Sequence, residues 1–178
     1  MTEHSHRVDI LSALPGCGKS YWTKRQEGDP IVVSADHFFE EREQVVKIDK
    51  HGNEKPYWET VYNFNPAKLG QAHADCMSRF VKAINEGQAV DGQSSYIILD
   101  NTNTQEWEYR HYTEAARMMG YHVRLVQWQF DSLDVAKRCF ARQSHGVPLA
   151  NWMAMWWRFE RKTTWAGNDV LIRHPEFK

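Results

Sequence analysis

Residues Ala13 to Ser20 read A-L-P-G-C-G-K-S, and that octet constrains the fold more than any other stretch of the chain. It fits the pattern G-x-x-x-x-G-K-[ST], with Ala13 in place of the first Gly. Such a loop works between a strand and a helix. Val8, Ile10 and Leu11 supply the strand ahead of it, and Lys19 to Gln26 can open a helix behind it. Gly16 and Gly18 let successive backbone N–H groups curl around an anionic oxygen, to which the helix N-terminus adds partial positive charge. In that arrangement Lys19 reaches the β- and γ-phosphates of a nucleoside triphosphate and the Ser20 hydroxyl ligates Mg²⁺. Leu14, Pro15, Gly16, Cys17, Gly18, Lys19, Ser20 and Tyr21 are therefore the candidate nucleotide-binding residues. A Gly-rich turn with a chance Lys is the plainer reading, and the strand–loop–helix order argues against it.

Downstream, strand and helix signals alternate. A short strand, Ile31 to Ser34, leads into A-D-H-F-F. Val45 to Tyr57 carries turn chemistry at His51-Gly52-Asn53, which predicts a hairpin inserted over about 45–58. Asn65 caps a helix with Pro66 in its first turn, an apolar stripe at Leu69, Ala72, Cys76, Phe80 and Ile84, and Gly87 at its end. Tyr96 to Leu99 reads as a parallel-sheet strand covered on both faces. Thr104 caps a helix ending at Gly120, His122 to Phe130 forms a strand, and Ser132 opens a helix running to about Ser144. Leu149 to Thr163 makes the last long helix, and Val170 to Ile172 adds an edge strand. The expected fold is α/β: a doubly wound, mostly parallel sheet of four to five strands with helices on both faces. A single domain should cover 1–178, with a core at about 7–163 and a tail at 164–178.

Several groups gather where such sheets bind ligands, at the carboxyl ends of the strands. Asp36 follows the second strand. Its carboxylate can take a proton from an attacking hydroxyl, or it can simply cap a helix starting at His37. Asp100 ends the apolar strand, a Walker-B-like position suited to Mg²⁺, followed by Asn101, Thr102 and Asn103 as polar side chains or turn formers. Arg138 and Arg142 stand four apart on one predicted helix. They form either a lid over the triphosphate or a solvated face. Gly146 and Pro148 suit a hinge, and His145 beside them is either a phosphate contact or a plain loop histidine. Trp152, Trp156 and Phe159 fall on one helical face, the spacing of a core stripe more often than of a base-stacking platform.

Composition narrows the partners. The chain has 22 Lys and Arg against 23 Asp and Glu, a net charge of -1, which argues against a broad basic surface for long nucleic acid. It leaves room for a local pocket around a strand end. The polar start M-T-E-H-S-H-R lacks a signal-peptide core, and no apolar run reaches membrane-spanning length. Cys17, Cys76 and Cys139 form an odd set without close pairing in sequence, poor material for disulfides or zinc. A soluble cytoplasmic enzyme is expected, without a membrane partner.

As a set, L-P-G-C-G-K-S, S-A-D-H-F-F, Y-x-F-x-P at Tyr62 to Pro66, A-H at Ala72 and His73, I-I-L-D-N-T-N and K-R-x-x-x-R-x-x-H-G-V-P resemble the polynucleotide-kinase-like branch of P-loop kinases. The resemblance runs from about Asp9 to Arg161. It extends to the kinase domains of bacteriophage and animal polynucleotide kinases and to phage kinases acting on hydroxymethylated bases in DNA. It implies ATP and Mg²⁺, Lys19 and Ser20 at the triphosphate, Asp36 as the base that activates the acceptor hydroxyl, and Arg138 with Arg142 as lid arginines. Thr102 matches a family position near the acceptor. Phe39 departs from the pattern, since the phage end-kinases carry there an Arg that grips the acceptor's 3′-phosphate. Lys47, Lys50 or Lys55 of the hairpin can replace it, or the acceptor differs. The resemblance thus implies transfer to a hydroxyl of nucleic acid, a polynucleotide 5′ end first, in the cytoplasm of a host if phage-encoded. A hydroxymethyl group on a pyrimidine such as 5-hydroxymethyluracil comes next, with Phe39 as an apolar wall, then a nucleotide or small metabolite. An ATP-binding interaction module is the reading of another class.

Overall fold

A computed structural model describes residues 6–88, 95–164 and 169–173. Strand β1 (Arg7–Ser12) lies at its centre, buried from Val8 onward. It pairs in parallel with β5 (Tyr96–Leu99) on one side and β6 (His122–Gln129) on the other. Beyond β5 lies β2 (Ile31–Val33), and beyond β6 lies β7 (Val170–Arg173), giving the order β2-β5-β1-β6-β7 with every pair parallel. From β1 the chain crosses to the edge strand β2, returns to β5 beside β1, and then passes to β6 and β7 on the other side, so the order reverses at β1 and the crevice at its carboxyl end is the place for a ligand.

Alternation along the strands explains the layers. Val8, Ile10, Ile97, Leu99 and Leu125 pack with Ala72, Cys76, Phe80 and Ile84 of α2 (Leu69–Gln88) and with Tyr112 and Ala116 of α3 (Glu106–Met118). On the opposite face Leu11, Ile98, Val126 and Trp128 meet α4 (Leu133–Phe140), α5 (Leu149–Arg158) and Trp22 of α1 (Lys19–Thr23). Among the described residues Asp9 is the charged side chain buried in this core, fully enclosed in β1. The Arg124 guanidinium forks it, Nε to Oδ1 at 2.6 Å, and the Tyr96 hydroxyl donates to Oδ2 at 2.7 Å. A charge so placed persists because it is paired and hydrogen-bonded.

Three expected boundaries move. The hairpin is longer than 45–58: β3 (Glu40–Ile48) and β4 (Glu54–Tyr62) form a separate two-stranded antiparallel sheet. Two of the added rungs near its root, Arg42 opposite Thr60 and Glu43 opposite Glu59, are exposed on both faces and so carry no alternating signal. The helix predicted to Ser144 stops at Phe140, which puts Arg142 in the turn beyond α4. The helix predicted to Thr163 stops at Arg158, because the chain turns extended at Phe159 and returns to the sheet. There the Glu160 N–H donates to the Thr104 carbonyl at 2.8 Å, and the Lys162 N–H donates to Gln127 Oε1. Two caps also move. Gln105, not Thr104, caps α3, while the Glu108 carboxylate accepts from the backbone N–H groups of Thr104 and Gln105. The predicted edge strand forms as β7, and the rest of the tail, 165–168 and 174–178, lies outside the described residues.

Candidate functional site

Three strand ends build the site. β1 runs into the 13–20 loop, β5 into Asp100, and β2 into a 3₁₀ turn, Ala35–Phe39. Backbone bonds lock these ends together: the Asp100 N–H donates to the Val33 carbonyl and the Ala13 N–H to the Thr102 carbonyl, both at 2.8 Å.

The loop is held from below. Gly16 and Gly18 have φ of 84° and 89°, a region that favours glycine. At Gly16 the backbone of the α4 end presses so close that a Cβ would lie 1.9 Å from the Cys139 carbonyl oxygen, whereas one at Gly18 would meet open space. Trp152 of α5, fully buried, donates its indole N–H to the Pro15 carbonyl at 3.1 Å. Leu14 and Cys17 point into the core, so they can serve a nucleotide through backbone N–H groups only, while Gly18, Ser20 and Tyr21 face solvent. The Tyr21 ring lies under the Arg25 guanidinium at 3.5 Å. Cys17 and Cys139, far apart in sequence, are hydrogen-bonded thiols, and burial pushes the Cys17 thiol well up from its ordinary titration range.

Lys19 Nζ stands 3.8 Å from Asp100 Oδ1, both side chains mostly sheltered. Burial raises the Asp100 carboxyl above its usual range. Lys19 pulls it back, Asp36 pushes it up further, and His37 and His145 pull it down. The five groups therefore share one electrostatic neighbourhood. The Ser20 hydroxyl and the Asp100 carboxylate are hard oxygen donors of the kind Mg²⁺ takes, with phosphate oxygens and water completing its shell.

Asp36 is not a helix cap. Ser34 caps the 3₁₀ turn, its Oγ accepting from the Asp36 N–H at 3.1 Å. The Asp36 carboxylate instead accepts the Tyr62 hydroxyl at 2.8 Å. Its turn is braced from two sides. Asn101 Oδ1 accepts from the Ala35 N–H at 2.8 Å, and Arg79 of α2 donates to the Ser34 carbonyl and to Asp75 while meeting His37 Nδ1 at 3.0 Å. Asn101, expected to face an acceptor, is 8 % exposed and has this backbone duty instead. Thr102 is half-buried, and Asn103, at φ 45°, ties the same loop to the Leu11 carbonyl. Phe39 is 3 % exposed beneath Tyr62 and Phe64, so it backs the aromatic wall rather than forming its surface.

The arginine pair is divided. Arg138 is exposed on α4, while Arg142 lies past the helix end, between Cys139 and Gln143, the two residues that close on Gly16. The Gln143 amide bonds both the N–H and the carbonyl of Val147, so the expected hinge is a stitched turn. From that turn His145 sets its ring 4.7 Å from Tyr62. Lys47 and Lys55, candidate replacements for the missing Arg, fall on the arm face opposite that of Tyr62 and pair with Glu59 and Asp49. Trp152, Trp156 and Phe159 are core residues, as their spacing indicated. Sequence reasoning missed the tasks of Tyr62 and Arg79. Tyr62 stood in a recognised motif, and Arg79 gave no signal.

Comparison with known proteins agrees with this architecture. A relative, human (Homo sapiens) NEDD4-binding protein 2, is 29% identical over 145 residues, which is 78% of this chain; the chain spans 7% of that protein's length. Among solved structures, a gluconokinase from Sinorhizobium meliloti 1021 superposes with TM-score 0.54 at 12% identity, covering 96% of this chain and 83% of its own. Kti12 from Chaetomium thermophilum, in complex with ADP-AlF3, gives 0.52 at 16%, covering 94% and 89%. A model of the AAA domain matches residues 10–162, from the middle of β1 past the end of α5, and so the chain belongs to that family as a P-loop kinase-like domain.

Proposed function

We propose that the chain acts as a single kinase domain that moves the γ-phosphate of ATP onto a hydroxyl of nucleic acid, with a polynucleotide 5′-hydroxyl as the first candidate. One observation carries the reading: the Asp36 carboxylate, free of capping duty, shares its surroundings with Asp100 and the loop lysine Lys19. The main-chain N–H groups of 14–20 and Lys19 would hold the triphosphate. Ser20 and Asp100 would hold Mg²⁺, which would neutralise phosphate charge there. Asp36 takes the proton of the acceptor hydroxyl as its oxygen bonds to the γ-phosphorus and the bond to the β,γ-bridging oxygen breaks, releasing ADP. Arg142, with Arg138 behind it, would meet the charge on the transferring group.

Aromatic surroundings favour a second reading. Tyr62 and Phe64 stack at 10° beside Asp36, and the nearby Arg79 is already committed to Asp75, His37 and the Ser34 carbonyl. Such a wall suits a hydroxymethylated base better than a terminal phosphate. Sugar-kinase neighbours keep a small-metabolite acceptor as the third.

The test offers γ-labelled ATP with 5′-hydroxyl oligonucleotides, DNA containing 5-hydroxymethyluracil, free nucleosides and gluconate. Label at oligonucleotide ends supports the first reading, label on internal bases the second, and label on small molecules alone removes nucleic acid from the proposal. Lys19→Ala should lose triphosphate binding and transfer together. Asp36→Asn should keep ATP affinity within a few-fold while transfer falls ~10²-fold or more. Equal loss of both in the Asp36 variant would contradict its role as base. EDTA should abolish transfer, and Asp100→Asn should raise the Mg²⁺ concentration needed for half-maximal rate.

A further inference from the structure

Asp36 sits on a 3₁₀ turn of five residues, close enough to the carboxylate of Asp100 for the two charges to influence one another. Nothing in so short an element fixes the torsion of its side chain. The Tyr62 hydroxyl does, donating to Oδ1 at 2.8 Å, while Oδ2 makes no hydrogen bond among the described residues. Tyr62 is itself immobilised. Its ring stacks on Phe64 and meets Phe39 and His145 at an angle, the last at 4.7 Å. It is also the final residue of β4, the root of the inserted arm, opposite Glu40 at the start of β3.

We infer that Tyr62 is a positioning residue for phosphoryl transfer: it pins one oxygen of Asp36 so that the other is presented to the acceptor hydroxyl, and it joins that geometry to the arm and to the turn bearing His145. The inference rests on the reading of Asp36 as the acceptor's base. A hydrogen bond to a charged group, set where a misplacement of about an ångström costs rate, is suited to this work. The hydroxyl of Tyr62 is spent on Asp36 while its ring remains part of the wall, so removing the hydroxyl alone should alter the rate of transfer rather than the binding of either substrate.

Tyr62→Phe removes the hydroxyl and keeps the ring. With whichever acceptor the wild type labels, kcat should fall ~10-fold or more while KM for ATP and for acceptor stay within about 2-fold. Melting temperature should stay within about 2 °C, since the ring contacts remain. The double variant Tyr62→Phe/Asp36→Asn should transfer no more slowly than Asp36→Asn alone, because the hydroxyl acts only through the carboxylate. An unchanged kcat in Tyr62→Phe, or an undiminished loss in the Asp36→Asn background, overturns the inference and leaves the kinase reading intact. A rise in either KM that accounts for the whole loss makes Tyr62 a binding residue instead. If the wild type labels no acceptor at all, both readings fall together.

Discussion

The two sides of the site are built in opposite ways. The nucleotide side is over-determined: Gly16 lies against the Cys139 carbonyl, Pro15 accepts from Trp152, and Ala13 is tied to Thr102. Its neighbours Leu11, Ala13, Leu14 and Cys17 are all at or below 1 % exposure. The proposed acceptor side is a thin two-stranded arm whose Val46, Ile48 and Trp58 stand more than half exposed, rooted through Tyr62 and the aromatic pair Phe39 and Phe64. An isolated two-stranded sheet has little stability of its own. Stability therefore belongs to the nucleotide side, and the arm contributes little to it.

The sharpest break would come at the loop glycines. Gly16→Ala adds left-handed strain of roughly 1–2 kcal/mol and also forces the loop away from α4. It should lower both melting temperature and ATP affinity, the latter at least ~10-fold. Gly18→Ala adds the strain without the collision, so its melting temperature should fall less. Equal effects in calorimetry would mean that the seat on Cys139 contributes nothing. Next, Trp152→Ala removes a fully buried indole and should cost about 3–5 kcal/mol in urea unfolding. Trp152→Phe should cost less, about 1–3 kcal/mol, because the Pro15 carbonyl loses its buried partner and the smaller ring leaves a cavity.

On the acceptor side, replacing 43–59 with Asn-Gly joins Arg42 to Thr60 across a two-residue hairpin turn. Melting should shift by less than about 3 °C and ATP affinity should hold, while transfer to an oligonucleotide drops at least ~10-fold. Unfolding of this variant would erase the contrast between the two sides. The smallest effect concerns pH. Burial, then the hydrogen bond and charge of Asp9, push the Tyr96 phenol up from 10.0 to about 12. Between those values the unfolded chain gives up a proton that the folded chain keeps, so this contribution is whole below about pH 10 and is lost as pH rises towards 12. Tyr96→Phe should flatten the alkaline fall in stability measured between pH 9 and 11.5; an unaltered slope would assign that fall elsewhere.

Much was legible because the signals were local. The loop octet, the strand at Tyr96 to Leu99 and the stripe of α2 each follow from the period of one element. The arm was half-read, since its turn at 49–53 has strong chemistry: the Asp49 carboxylate accepts from the His51 and Asn53 N–H groups. The rungs at Arg42 and Thr60 and at Glu43 and Glu59, nearer its root, bury neither face and so leave no pattern. The shared helical face expected for the arginine pair is absent for a related reason. Helical spacing from Arg138 to Arg142 assumes a continuous helix, and α4 ends where its last turn closes on the phosphate loop.

The sequence by itself determined a phosphate-gripping loop between a strand and a helix, a parallel sheet and the strand-end acids Asp36 and Asp100, because backbone conformation and hydrophobic period are properties of neighbours in the chain. Only the tertiary structure decided that Ser34 rather than Asp36 caps the turn, that Tyr62 holds the carboxylate, that Arg79 and Asn101 brace its backbone, and that Lys47 and Lys55 lie on the wrong face of the arm. Those contacts span from 2 to 66 positions, and all but the Ser34 cap cross between separate elements. Which side chain reaches which group is set by how helices and strands pack, and no single segment carries that information.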